Sequence, residues 1–215
     1  MIELAQASLV YQDHGRDVFA CREIDLTLGD GEFLGILGPS GSGKSSLLYL
    51  MSGLKIPSLG EVKYQGKGLN SQSDHARAQI RLRDYGFVFQ HPFLVGYLSA
   101  LENVLIAFPH EDREEEAVAL LGELGLSEHL DRLPHQMSGG QRQRVCVARA
   151  LLGSPRVIFA DEPTAALDHT NGLAVMERLN QHRGAGALVV VTHDPSMLDQ
   201  ADRIIRIEDG RIVEG

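Results

Sequence analysis

Apolar and polar positions along the chain fall into two regimes, short strand-like runs and longer helical stretches. From Ile24 to Leu28 every second residue is apolar, which predicts a half-exposed strand. A Gly29-Asp30-Gly31 turn follows. The next run, Phe33-Leu34-Gly35-Ile36-Leu37, is apolar without alternation and predicts a strand buried on both faces. Leu9-Val10-Tyr11 predicts a short strand upstream, and Ser46 to Met51 has helix composition that stops at Gly53. Two more strand-like pieces, around Gly60 to Gln65 and Gly86 to Phe89, enclose a polar stretch from Asn70 to Arg83 that fits a loop or a helix. Between Ser99 and Leu152 the pattern is helical. There the acidic run Glu111 to Glu116 precedes Ala117, Val118, Leu120, Leu121 and Leu124, as suits a solvated first helical turn. Strand patterns return at Val157 to Ala160, Leu188 to Thr192 and Ile204 to Ile207, and Asp209-Gly210 predicts a closing hairpin. Buried strands alternating with helices predict an α/β fold with a mainly parallel sheet and an all-helical insertion.

Composition narrows the class. With 215 residues, 43% apolar and 23% charged, the chain is long enough for a packed core. The 20 Lys and Arg against 29 Asp and Glu give a net charge of −9, the opposite of the basic excess expected of a nucleic-acid binder. Cys21 and Cys146 form no Cys-x-x-Cys pair, and Met1-Ile2-Glu3-Leu4 lacks the charge and apolar pattern of a secretory leader. The apolar run Ala187 to Val191 is far shorter than the ~18 residues of a membrane span, so no direct membrane insertion is expected. No two histidines stand at helical zinc-ligand spacing, and no Gly-x-Ser-x-Gly elbow occurs.

Chemistry concentrates after the buried strand that ends at Leu37. Gly38-Pro39-Ser40-Gly41-Ser42-Gly43-Lys44-Ser45 fits Gly-x4-Gly-Lys-Ser and leads, through Ser46, into a predicted helix. Glycines at these positions let backbone N–H groups turn inward around phosphate oxygens. Lys44 adds a charge for the β and γ phosphates, and the Ser45 hydroxyl suits Mg²⁺. A phosphate cradle needs an acid at the end of a neighbouring strand, and Val157-Ile158-Phe159-Ala160-Asp161-Glu162 supplies two. Strand alternation sends their side chains apart, so Asp161 is predicted to hold the metal and Glu162 to orient or deprotonate the attacking water.

Further segments in order along the chain resemble the ATP-binding subunits of ATP-binding-cassette (ABC) transporters. Met137-Ser138-Gly139-Gly140-Gln141 is similar to that family's Leu-Ser-Gly-Gly-Gln signature, with a volume-conserving change at Met137. Gln90, after Phe87-Val88-Phe89, resembles the glutamine that reaches Mg²⁺ and water. His193 resembles the histidine that contacts the γ-phosphate, and Tyr11 matches the aromatic that stacks on adenine. Ala165-Ala166-Leu167-Asp168 is similar to the family's Ser-Ala-Leu-Asp loop, with Asp168 crossing a dimer interface and Ala165 lacking the usual hydroxyl.

The resemblance implies a P-loop NTPase of one domain, residues 1–215. Segments 1–90 and 156–215 would form the nucleotide-binding lobe with an N-terminal antiparallel β subdomain, and 91–155 the helical signature lobe. It implies an Mg²⁺-dependent ATPase that forms a head-to-tail homodimer around two ATP, with Ser138 to Gln141 closing over the partner's site. It also implies separate integral membrane subunits, a place on the cytoplasmic face of the inner membrane, and no nucleic-acid partner. The stretch His91 to Leu98 fits either docking to those subunits or packing of the helical lobe. No C-terminal regulatory domain is expected of so short a chain. Spelling around the cradle and from Arg81 to Gln90 is most like the lipoprotein-releasing and macrolide-export subgroup. Amino-acid importers share much of it, and a cassette acting on nucleic acid or a small-molecule kinase are the remaining alternatives.

Overall fold

The computed structural model describes residues 1–214; Gly215, the end of the predicted domain, lies outside the described residues. Strands β1 (Ile2–Asp13) and β2 (Arg16–Leu28) form a long antiparallel hairpin. The sequence predicted only its ends, Leu9 to Tyr11 and Ile24 to Leu28. The unpredicted tip, Arg16 to Val18, is exposed and so carries no apolar alternation. After β3 (Phe33–Leu37) and helix α1 (Lys44–Met51), strands β4 (Leu59–Tyr64) and β5 (Lys67–Gly68) join the hairpin in a four-stranded antiparallel sheet of order β2-β1-β4-β5.

Helix α2 (Asp74–Asp84) settles the polar stretch in favour of helix. Ser73 caps it by accepting from Ala76 N, and it buries no residue fully, which is why no apolar stripe announced it. The second sheet contains β6 (Tyr85–Val88), β7 (Val157–Asp161), β8 (Ala187–Val191), β9 (Arg203–Glu208) and β10 (Arg211–Glu214) together with β3. Its order is β10-β9-β3-β8-β7-β6, and every pairing except β9 with β10 is parallel. Between β6 and β7 the chain runs through α3 (Ala100–Leu105), α4 (Glu114–Glu123) and α5 (Gly139–Leu151) with two short 3-10 turns and no strand. Helix α6 (His169–His182), which the sequence did not predict, connects β7 to β8.

The central strands β3, β7 and β8 are buried along their whole length, as continuous apolar runs require. Alternation divides their side chains between two cores. Ile158, Ala160, Leu188 and Val190 face the helices α3 to α6, while Val157, Phe159, Val189 and Val191 face α1 and the antiparallel sheet. Asp161 continues the second series, and its carboxylate emerges on the side where α1 begins. Mainly parallel α/β architecture with an antiparallel β subdomain and an inserted helical segment is therefore what the sequence predicted.

Candidate functional site

The loop from Gly38 to Gly43 is shaped by close backbone approaches. A Cβ on Gly38 would overlap the Ile207 carbonyl oxygen and come within 2.6 Å of Ser42 Oγ. Gly43 caps α1 at φ 106°, a conformation open to glycine and strained for any other residue, and a Cβ there would overlap the Ala20 carbonyl oxygen. Hydrogen bonds from Gly210 N to Ser42 O (2.9 Å) and from Ser42 N to Pro39 O (3.2 Å) fix the curve of the loop. Helix α1 has no side-chain cap. Its first amides are therefore left for an anion, where the helix dipole adds to the attraction. Lys44 is buried, and its Nζ donates to the carbonyls of Gly38 (2.8 Å) and Pro39 (2.9 Å), which folds its charge over the loop.

Facing the loop is a cleft of about 660 Å³. One wall is Ser40, Gly41, Gly43, Lys44, Ser45 and Ser46; the other is Gln90, Asp161, Glu162 and His193. Residues predicted from four separate stretches of sequence thus meet in one cavity of ligand size. Gly38, Pro39 and Ser42 shape the loop from behind. Tyr11, the predicted adenine contact, borders the third wall of the cleft. It lies opposite Val18 on the hairpin with Lys55 Nζ 5.9 Å from its ring centroid, and the third wall is Val18, Phe19 and Ala20. The hairpin extends beyond the predicted strand end, and this brings β2 against the cavity with Tyr11 of β1 beside it.

Asp161 is 6% exposed. Burial is the largest influence on its carboxyl and pushes it above the ordinary range, and the Glu162 charge acts in the same direction. A hydrogen bond with the Ser45 side chain and the Lys44 charge oppose them. A carboxyl raised in the folded state binds its proton more tightly there, so Asp161 costs native stability as pH rises through that raised value, and the cost is present at neutral pH. Asp161→Asn is accordingly expected to raise the melting temperature of nucleotide-free protein at pH 7 while abolishing ATP turnover. A lower melting temperature, read by calorimetry, would contradict the assigned desolvation.

Glu162 departs from its strand at φ 48°, a left-handed conformation rare for a non-glycine residue, with its N–H donating to Val191 O at 2.8 Å. His193 Nδ1 lies 2.9 and 3.0 Å from the two Glu162 oxygens, and Thr192 Oγ1 donates to Oε2 at 3.3 Å. With Glu162 ionised, Nδ1 must carry the proton, which orients Nε2 away from the carboxylate. Thr192 was missed by the sequence reading; its only mark there was its place between a buried strand and His193.

The donor set suits a hard cation, since the Ser45 hydroxyl, the Gln90 carboxamide and the Asp161 carboxylate all present oxygen and line the same cleft. Among the described residues no cluster of three His, Cys, Asp or Glu side chains could hold a metal by itself. That pattern fits Mg²⁺, which keeps waters and takes ligands from nucleotide phosphates.

Residues Ser138 to Gln141 lie outside this cleft. They start α5 with a capping box: Ser138 Oγ accepts from Gln141 N at 3.2 Å, and Gln141 Oε1 accepts from Ser138 N at 2.8 Å. The amides of Gly139 and Gly140 are left without a share in that box. Gly140 packs so closely on the loop after β7 that a Cβ would come within 2.9 Å of Leu167 Cδ2. Asp168 in that loop caps α6, accepting from Asn171 N (3.0 Å) and Asn171 Nδ2 (2.6 Å), and these bonds hold its carboxyl below the ordinary range. Of the stretch His91 to Leu98, Leu94 packs on the helical core while Phe93 and Tyr97 are 67% and 82% exposed. Packing and exposure thus divide the segment.

The family description "ABC transporter" matches residues 21–165. The chain belongs to that family. An ABC transporter ATP-binding protein of Methanocaldococcus jannaschii, uncharacterized and designated MJ1508, is 41% identical over all of this chain and 98% of its own length. The macrolide export ATP-binding/permease protein MacB of Nitrosomonas europaea is 45% identical over 88% of this chain, and that of Salmonella typhi 41% over 99%. The chain spans only 30% and 34% of those two proteins. Among solved structures, the ABC cassette MJ0796 as a post-hydrolysis dimer bound to ADP and Pi superposes with a TM-score of 0.94. Identity there is 36%, over the whole of this chain and 97% of that one. The present chain is an ABC ATPase that binds and hydrolyses ATP in transport. Among its described residues no helix is long and apolar enough to cross a membrane.

Proposed function

We propose that two copies of this chain assemble head to tail around two ATP, each cleft being closed by Ser138 to Gln141 of the other copy. The carrying observation is the separation of two anion-binding helix starts: the N-terminus of α1 lines the cleft and that of α5 does not. The solved structures of MJ0796 are dimers, which supports a two-copy assembly. In each site Gly38 to Ser46 cradle the phosphates and Lys44 places its charge between them. Val18, Phe19 and Ala20 face the base, and Tyr11, opposite Val18, stacks on it. Ser45, Gln90 and Asp161 would hold Mg²⁺, which when bound neutralises phosphate charge and polarises the γ-phosphoryl group. Glu162 accepts a proton from the attacking water, and His193 holds the carboxylate in place from its outer side. Asp168 steadies the loop beneath the signature by capping α6.

Likeness to the macrolide export ATP-binding/permease protein MacB supports an efflux-type role in which the chain works with a permease. That the membrane subunits are separate chains, and that the role extends to lipoprotein release, is our reading of the motif spelling. In that role the chain sits at the cytoplasmic face of the inner membrane and takes up no nucleic acid. Segment 91–155 acts as the signature-bearing lobe against a nucleotide-binding lobe of 1–90 and 156–215. Exposed Phe93 and Tyr97 beside Gln90 are the docking residues for a membrane subunit.

A mixing experiment tests the assembly. Ser138→Ala and Lys44→Ala proteins are each expected to turn over slowly. An equimolar mixture should regain about a quarter of wild-type sites, because half the dimers are mixed and each has one site intact in both elements. A mixture no faster than its parents would sink the shared site.

A further inference from the structure

One face of α5 carries Gln143, Cys146 and Arg149 at intervals of three, and all three reach the backbone that flanks Gln90. Gln143 Nε2 donates to Phe89 O at 3.1 Å, the carbonyl immediately before Gln90. Cys146 Sγ lies against Pro92 O, and Arg149 donates to Pro92 O and Phe93 O at 3.1 Å each. The segment these bonds secure, Gln90 to Val95, has no helix or strand of its own. Phe89 rests against Phe87 and Phe93, with ring centroids 5.5 and 5.7 Å apart. At its far end the segment is held by Leu94 on the helical core and by Asn103, which bonds Val95 N and O at 2.7 and 3.1 Å; beside Gln90 itself, the donors of α5 are the polar anchors.

Gln143 is the informative member. It is 1% exposed, and its Oε1 is buried without a partner. Leaving a buried amide oxygen unsatisfied costs about 1–3 kcal/mol, so an apolar side chain of similar volume would serve packing better. What an apolar residue cannot supply is the donor to Phe89 O. We propose that Gln143, supported by Arg149, is a positioning residue that sets the direction of Gln90 in the ATP cleft. Because α5 begins with Ser138 to Gln141, one rigid helix then fixes both the signature of a cassette and the stem of its own metal-side glutamine.

The proposal rests on the role given above to Gln90, and the test separates the two. Gln143→Met in the full chain removes the donor and the unpartnered oxygen at nearly constant volume. The melting temperature should hold or rise, and the KM for ATP should stay within twofold. kcat should fall about tenfold, inside the ~100-fold that a 1 Å misplacement costs. Amide exchange in nucleotide-free protein should quicken in residues 89–93 and not in β6 or α5. In a Gln90→Ala background the same substitution should cost nothing further.

Unchanged kcat for Gln90→Ala alone overturns the role of Gln90. A slow Gln90→Ala together with an unaffected Gln143→Met, or losses that add in the double variant, overturns the positioning. Should Gln143→Met fail to fold, Arg149→Met takes the same measurements, with Arg149→Lys expected to restore part of the rate by keeping one donor. An Arg149→Met protein with wild-type kcat and wild-type exchange at 89–93 would then refute it.

Discussion

Replacing Glu162 by glutamine is expected to slow ATP turnover by about 100- to 10,000-fold, the range over which a positioned general base contributes, while ATP still binds. The fold gives the substitution little to disturb. Glutamine tolerates the left-handed φ of 48° as well as glutamate does, and the bond from the residue 162 backbone N–H to Val191 O does not involve the side chain. Thr192 Oγ1 and protonated His193 Nδ1 can still donate to the amide oxygen. What is lost is the second carboxylate oxygen and with it the capacity to take a proton from water. None of the cradle contacts, from the Gly38 and Pro39 carbonyls on Lys44 to the uncapped start of α1, depends on residue 162. Binding should therefore persist while phosphate release nearly stops, and protein incubated with ATP should accumulate as a dimer on size-exclusion chromatography. Turnover within threefold of wild type would remove Glu162 from the chemistry.

The residues that meet in the cleft were legible because their local patterns are tied to their chemistry. A buried strand, a glycine loop and Lys44-Ser45 leave few other uses for that order of residue types. Likewise, two carboxylates at the end of a four-residue apolar run read as a strand emerging into a site. The surroundings of Tyr11 were not legible because they depend on how far β1 runs. That length is set by pairing with β2 across a hairpin whose tip is exposed and whose register shifts between Leu4 and Val10.

Helix α6 was invisible for a related reason. Its opening residues, His169-Thr170-Asn171-Gly172, are poor helix formers. Gly172 is there because a Cβ would crowd the Thr164 side chain at 3.3 Å. The Asp168 cap compensates from outside the helix. Gln143 was missed because a polar residue on a polar helix carries no mark of burial. Only tertiary structure reveals that its amide ends on the carbonyl next to Gln90. Local chemistry was therefore readable where it is contiguous, and unreadable where long-range packing decides which side chain faces the site.

The same distinction separates two glycines in the cradle that the sequence treats alike. Gly43→Ala is expected to lower the melting temperature by on the order of 10 °C. Backbone strain at φ 106° costs about 1–3 kcal/mol and forced overpacking about the same again, at roughly 2–4 °C per kcal/mol for a chain of this size. The clash is with the Ala20 carbonyl oxygen in β2, and Gly210 Cα stands 3.4 Å from the same Cβ position, which closes the space beside it. To make room, α1 must shift at its first residue, carrying the amides of Lys44 and Ser45 away from the phosphate position. ATP affinity should then fall by about 10- to 100-fold, the equivalent of one charge-assisted hydrogen bond. Gly41→Ala is the control. Gly41 is also left-handed, at φ 79°, but a Cβ there meets nothing within 4 Å. Its cost to the fold should be the conformational one alone, about 1–2 kcal/mol. Calorimetry on the two variants reads the contrast in stability directly, and equilibrium nucleotide binding reads the loss of affinity in Gly43→Ala. Equal losses would mean that the left-handed backbone, and not the approach of β2, is what makes glycine necessary at the start of α1.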